Sequence, residues 1–164
     1  MKRRGISTVI GTVIMIALVI VIVGIVWVSI NTLVNSQIQS SESCFGNFGK
    51  VQIEKRYTCY NQSSNEFQFS VSVGDIKVDS VLVSLASSSG TKSINIGNST
   101  VSNVRMFNGN YGETVVAPEK NAGYTYVVNV TGFGIGIPDS VSIAPVINDN
   151  QCEISDSLND VGVC

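Results

Sequence analysis

Between Gly5 and Ser41 the chain carries no charged residue, and from Ile6 to Ile30 its only hydroxyl side chains are Ser7, Thr8, Thr12 and Ser29. A run this long and this apolar must lie in lipid or among helices as apolar as itself. Spanning a bilayer takes about 20 apolar residues, whereas the apolar stretch of a cleaved secretory signal is about 7–15 residues long. No A-x-A site follows the run, so an anchor uncut on its far side is expected. In a helix rising about 1.5 Å per residue, Ile6 to Trp27 covers roughly 31 Å. That length matches the hydrocarbon core and sets Trp27 at the outer interface, where an amphipathic ring is favoured. Packing of Trp27 against a neighbouring helix would explain the residue equally well. Lys2, Arg3 and Arg4 precede the run. By the positive-inside rule they stay in the cytoplasm and send the rest of the chain out.

Leu33, Val34 and Ile38 continue at helical spacing, so the helix is expected to extend through Asn31 to about Ser40. Gly11 and Gly24 are small spots at which another helix can approach. Three regions follow from this reading: a leader over 1–5, a hydrophobic α-helix over 6–41 that serves as membrane anchor or filament core, and an extracellular β-rich domain over 42–164.

Lys2-Arg3-Arg4-Gly5, then Ile6-Ser7-Thr8-Val9-Ile10-Gly11, then a long Val/Ile/Leu stretch resembles the amino terminus of archaeal type IV pilins, which carry a class III signal peptide. The resemblance covers about thirty residues. It implies cleavage between Gly5 and Ile6 by a prepilin peptidase on the cytoplasmic side. It also implies assembly of the freed helices into a homopolymeric filament by a pilus ATPase and platform. Thr8 stands where such pilins often have Pro. Ile10 occupies the mature fifth position, where bacterial type IV pilins usually have Glu, which favours the archaeal branch. Archaellins share the basic-Gly junction and the hydrophobic helix, so a motility filament is the near alternative. A monomeric membrane-anchored surface binding protein is the alternative from another class.

From Lys50 the texture changes to short Val/Ile/Tyr/Phe/Ser/Thr runs punctuated by Gly, Asn and Asp. Glu66–Val73 alternates polar and apolar, as a half-buried strand does. Asp79–Leu85, Tyr124–Val130 and Ser140–Val146 are further strand candidates. Val51–Tyr57, Ser93–Ile96, Val101–Phe107 and Thr114–Val116 are weaker ones. Ser87-Ser88-Ser89-Gly90 reads as a turn. Pro138 and Pro145 mark a loop and a strand end or edge. Together these give an α+β chain: a long N-terminal hydrophobic α-helix, then an all-β, β-sandwich (Ig-like) globular domain.

Composition narrows the chemistry. There is no histidine, which removes the usual general base and the commonest metal ligand, and with them a Ser-His-Asp triad. All twelve carboxylates lie from Glu42 onward, against seven of the ten basic residues, a net of −5 outside the leader. That balance argues against nucleic acid as a primary partner. Gly132-Phe133-Gly134-Ile135-Gly136 is followed by Pro138 rather than a helix, so it reads as a flexible or tightly packed loop, not a phosphate cradle. Asn148-Asp149-Asn150 and Asp156 to Asp160 lack EF-hand spacing and read as turns. No enzyme, cofactor or metal is expected.

Asn61-Gln62-Ser63, Asn98-Ser99-Thr100 and Asn129-Val130-Thr131 are N-glycosylation acceptor triplets, with Asn129 the least secure because it falls in an expected strand. Cys44, Cys59, Cys152 and Cys164 all follow the helix, and export favours disulfides. Of three pairings, the sequence-local one is the expectation: Cys44–Cys59 with Cys152–Cys164. Each short loop of about 15 residues would be worth roughly 3 kcal/mol. The reading as a whole is a precursor in the cell membrane that matures into an extracellular surface filament serving adhesion.

Overall fold

The structure is a computed structural model that describes residues 4–164, with side chains at 9–35 and 44–164. Helix α1 (Arg4–Cys44) is 41 residues long. The chain divides into two compact units, Met1–Ser41 and Glu42–Cys164. The second unit is all β. α1 continues to Cys44 and stops there because Gly46, at φ 82°, turns the chain left-handed while the Asn47 amide donates to the Cys44 carbonyl. This is a glycine-based helix terminus, at a backbone conformation that costs glycine little.

In the second unit, one sheet is built from β1 (Val51–Ile53), β2 (Cys59–Asn61), β3 (Glu66–Val73), β7 (Val104–Met106), β9 (Gly123–Asn129) and β13 (Gly162–Val163). Its order is β13-β2-β3-β9-β7, with β1 sharing the β2 side of β3. The other sheet holds β4 (Ser80–Ser87), β5 (Gly90–Ile96), β10 (Pro138–Ile147), β11 (Asn150–Gln151) and β12 (Asp156–Asn159). Its order is β11-β10-β4-β5, with β12 also on β10. A small ribbon pairs β6 (Ser99–Thr100) with β8 (Thr114–Val115). The two main sheets share one core. Phe67, Phe69, Val71 and Tyr126 from the first and Val81, Val83, Leu85, Ile94 and Ile143 from the second are almost fully buried. Period-two alternation puts these residues on one face of each strand. Phe69 faces Tyr126 across the β3–β9 ladder, with ring centroids 5.3 Å apart. The Tyr126 hydroxyl donates to the Val116 carbonyl at 2.7 Å, and burial pushes its pKa up.

Strand β3 occupies the expected residues. The run expected over Val51–Tyr57 breaks at Glu54. Lys55–Tyr57 forms a 3-10 turn, and the chain resumes along the same side of β3 as β2. Pro145 lies inside β10, not at an end, and is buried. It falls between the β12 and β11 pairings, where its missing amide costs the ladder one donor. Its carbonyl still accepts from the Cys152 amide at 2.9 Å. Asn148 and Asp149, both at positive φ, make the two-residue turn between β10 and β11, a conformation that Asn and Asp adopt most readily after Gly.

The sequence-local cysteine pairing is overturned. Cys44 is bonded to Cys152 and Cys59 to Cys164, with Cα–Cα separations of 5.4 and 5.1 Å. The cause is long-range pairing. β13 lies parallel to β2, with Gly162 opposite Cys59 and Val163 opposite Tyr60, and the Cys164 amide donates to the Tyr60 carbonyl, so β2 holds the carboxyl end within bonding reach of Cys59. The β10–β11 turn carries Cys152 back to the end of α1. Both bonds satisfy the spacing a disulfide needs, and each closes a loop of more than a hundred residues.

Candidate assembly surface: the apolar helix and its stapled neck

Within α1, Val9–Asn35 is long and apolar enough to cross a membrane, and none of it is buried. Length and composition suit a membrane anchor or a signal sequence. Its large side chains are exposed on every face, from Val9 and Ile10 to Leu33 and Val34, with Trp27 67% exposed. The few hydroxyls turn inward on the backbone. Thr12 donates to the Val9 carbonyl, Ser29 to Ile25 and Thr32 to Val28, at 2.8, 3.0 and 2.9 Å. A helix that satisfies its own polar groups in this way fits hydrocarbon or a bundle of similar helices. Nothing lies within 4 Å of a side-chain position at Gly11 or Gly24, so both leave room for a close helix. Of the expected leader, Lys2 and Arg3 lie outside the described residues. Arg4, Gly5 and Ile6 are helical in backbone.

At the far end the chain enters the domain through Phe45-Gly46-Asn47-Phe48-Gly49. Gly46 and Gly49 are at φ 82° and 72°, and two turns follow each other: Asn47 amide to Cys44 carbonyl, then Lys50 amide to Asn47 carbonyl, both 3.2 Å. The Cys44–Cys152 bond pins one side of this neck. Two more bonds tie the strand that follows it to the segment after Cys152: Ser155 Oγ donates to the Val51 carbonyl at 2.8 Å, and the Ile53 amide donates to Asp156 Oδ2 at 2.9 Å. Held on this backbone, Phe45 and Phe48 are 88% and 74% exposed, and Ile154 is 57% exposed. Sequence reasoning missed these residues. The signal was present as two Phe-Gly pairs in an uncharged stretch between Glu42 and Lys50.

The acceptor triplets lie in different settings. Asn61 ends β2, is exposed, and its Oδ1 accepts from the Ser63 and Ser64 amides. Asn98 is exposed between β5 and β6 at φ 45°. Asn129 is half-buried and caps the short helix α2 (Val130–Phe133), its Oδ1 accepting from the Gly132 amide at 2.9 Å. The glycine-rich segment is a packed corner. Gly134 closes α2 at φ 71°, and the Gly136 amide donates to Ser89 Oγ at 2.7 Å. Asp156 serves the β1 contact just described. Among the described residues, no group of three or more His, Cys, Asp or Glu is placed to hold a metal.

One charged cluster stands out. Glu66 Oε1 accepts from the Tyr111 hydroxyl at 2.7 Å and from Arg105 Nη2 at 3.3 Å, while the guanidinium lies over the Tyr111 ring. Arg105 Nη1 donates to the Phe107 carbonyl at 2.7 Å. Partial burial pushes the Glu66 carboxyl up, but hydrogen bonds from Tyr111, Ser64 and Arg105, with the Arg105 charge, outweigh it and hold the pKa below its usual value. Arg105 Nη1 also reaches the Met106 and Gly109 carbonyls, so the guanidinium ties the loop after β7 to Glu66. No protein-family model, curated protein or solved structure matches the chain.

Proposed function

We propose that the chain is a structural subunit, type IV pilin-like, that polymerises through α1 into an extracellular filament with the β domain as its coat, serving adhesion. The observation that carries this reading is an apolar helix exposed on every face, joined through a covalently stapled neck to a twice-bridged β domain. Such a helix needs either lipid or copies of itself, and dispersion packing between helices replaces lipid contacts at little cost. Repetition of one heterologous contact gives an open helical polymer. Removal of Lys2, Arg3 and Arg4 by a prepilin peptidase at Gly5–Ile6 would take away the charges that hold the helix in the membrane. A pilus ATPase and platform would then supply the assembly work. Electron microscopy of sheared surface material, with amino-terminal sequencing of its subunit, tests this. Filaments whose subunit starts at Ile6 are expected. Protein retained in membranes with Met1 intact would instead favour a monomeric anchored surface protein. Loss of swimming on deletion of the chain would move the reading to an archaellin.

A further inference from the structure

Of the three acceptor asparagines, only Asn98 keeps its side chain out of the hydrogen-bond network of the domain. Asn61 accepts from the Ser63 and Ser64 amides, and Asn129 from the Gly132 amide. Asn98 instead lines a groove of about 430 Å³, whose other residues come from segments 77–79 and 116–120. Each part of this groove is held from behind. A Cβ on Gly97 would collide with that of Ser80, so the β5–β6 turn lies tight on the start of β4, and Asn98 leaves it at φ 45°. The Asp79 amide donates to the Val146 carbonyl at 2.9 Å, and Asp79 Oδ2 accepts from the Asp149 amide at 3.2 Å. The Tyr126 hydroxyl holds the Val116 carbonyl, and the Asn121 amide ties the end of the second segment to the Gly74 carbonyl at 2.9 Å. A groove built in this way is formed before anything enters it.

Its lining is mixed. The buried Val78 and Pro118 give apolar surface, and the exposed Lys77, Asp79 and Glu119 give donors and acceptors. A pyranose ring offers the matching combination, C–H faces and a girdle of hydroxyls. The volume falls in the range of about 300–1,000 Å³ that holds small molecules. Asn98 names the occupant, because a sugar joined to its Nδ2 starts at the groove. Tethering sets a high effective concentration there, so weak contacts suffice to seat the sugar. We propose that Asn98 carries an N-linked glycan and that the proximal sugars of this glycan lie in the groove. In the transfer, Asn98 Nδ2 bonds to the anomeric carbon of a polyprenyl-phosphate-linked oligosaccharide. The bond from that carbon to the phosphate oxygen breaks, polyprenyl phosphate leaves, and the amide gives up one proton. The inference rests on the extracellular placement of the domain in the proposed function and not on polymerisation.

The test uses the full chain in its producing cells, as wild type, as Thr100→Ala, which destroys the acceptor triplet, and as Thr100→Ser, which keeps it. Thr100 is exposed and does not line the groove, so the lining is untouched. Glycopeptide mass spectrometry should find Asn98 modified in wild type and Thr100→Ser and bare in Thr100→Ala. Acylation of lysines on intact cells by a membrane-impermeant amine reagent then reads the seat. A glycan seated about four-fifths of the time leaves Lys77 open for one-fifth, so Lys77 should react about fivefold more slowly in wild type and Thr100→Ser than in Thr100→Ala. Lys55, which lies outside the groove, should react equally in all three. Equal Lys77 rates in glycosylated wild type and Thr100→Ala overturn the inference. Lys55 slowed as much as Lys77 overturns it too, since that is general shielding and not a seat. A wild type labelled on intact cells yet bare at Asn98 overturns it as well. A domain that the reagent cannot reach from outside refutes the extracellular placement itself, and the inference falls with it.

Discussion

Replacing Cys59 and Cys164 by serine removes one bridge while Cys44–Cys152 remains. Bridges that cross in sequence are not independent, so the cost depends on the order of removal. In the chain-entropy model, a lone bridge over the 108-residue separation of Cys44 and Cys152 is worth about 4.8 kcal/mol. Once that bridge exists, Cys59 and Cys164 are already joined by a path of about 27 residues, running back to Cys44, across the bond, and on from Cys152; closing it is worth about 3.6 kcal/mol. Losing either bridge alone should therefore cost about 3.6 kcal/mol and losing both about 8.4 kcal/mol, the second loss exceeding the first by about 1.2 kcal/mol. Sequence-local bridges would behave otherwise, at about 3 kcal/mol each and simply additive. The assay is guanidinium unfolding of the full chain in detergent, followed by tyrosine near-ultraviolet circular dichroism, on the wild type, both single-bridge variants and the bridge-free variant. Single losses that sum to the double loss within about 0.3–0.5 kcal/mol would refute the crossed arrangement as the source of stability.

Phe69→Ala empties a fully buried site between Phe67 and Tyr126 and should cost about 3–5 kcal/mol in the same unfolding assay. Glu66→Gln tests the sign of a titration. The folded carboxyl titrates below its ordinary value, so its contribution is full above the unfolded pKa of about 4.5 and is lost as pH falls through the folded pKa. Wild-type stability should thus fall more steeply than that of Glu66→Gln as pH drops from about 4.5, and parallel curves would contradict the Tyr111–Arg105 account. Glycan occupancy, measured by mass spectrometry of peptides from surface material, should favour the exposed Asn98 and Asn61 over Asn129, which is half-buried and holds the cap of α2; equal occupancy at Asn129 would show that the cap opens.

The parts of the fold that sequence reveals are those set by local period. The apolar run from Ile6 shows itself by length, and β3 by eight residues of strict alternation, Glu66–Val73. Tyr124–Val130 is legible to within a residue, and the strand ends at Asn129 because that side chain turns to cap α2. The short strands β2, β11, β12 and β13 carry too few residues to show a period and exist only through partners elsewhere in the chain. The cysteine pairing is hidden for the same reason. It depends on the parallel match of Gly162 with Cys59, across more than a hundred residues. At the candidate assembly surface the helix is legible, whereas the neck is not. Phe45 and Phe48 belong to no periodic run, and their exposure on the positive-φ turns at Gly46 and Gly49 is visible only in the structure.

The crossed bridges also decide where tension travels. Force entering along α1 reaches Cys44, where the covalent path divides. One branch crosses to Cys152 and runs on to Cys164; the other follows the chain to Cys59 and crosses to the same residue. A pull between helix and carboxyl end is shared by these two short branches, and the strands from β3 to β10 are left outside the circuit. The chain between those points can lengthen to only about 40–50 Å before covalent bonds resist, against roughly 400 Å for the same residues unbridged. Bridges paired along the sequence would instead have sent the whole load through the sandwich. A pull of this kind therefore cannot draw out the strands from β3 to β10 while both bridges hold.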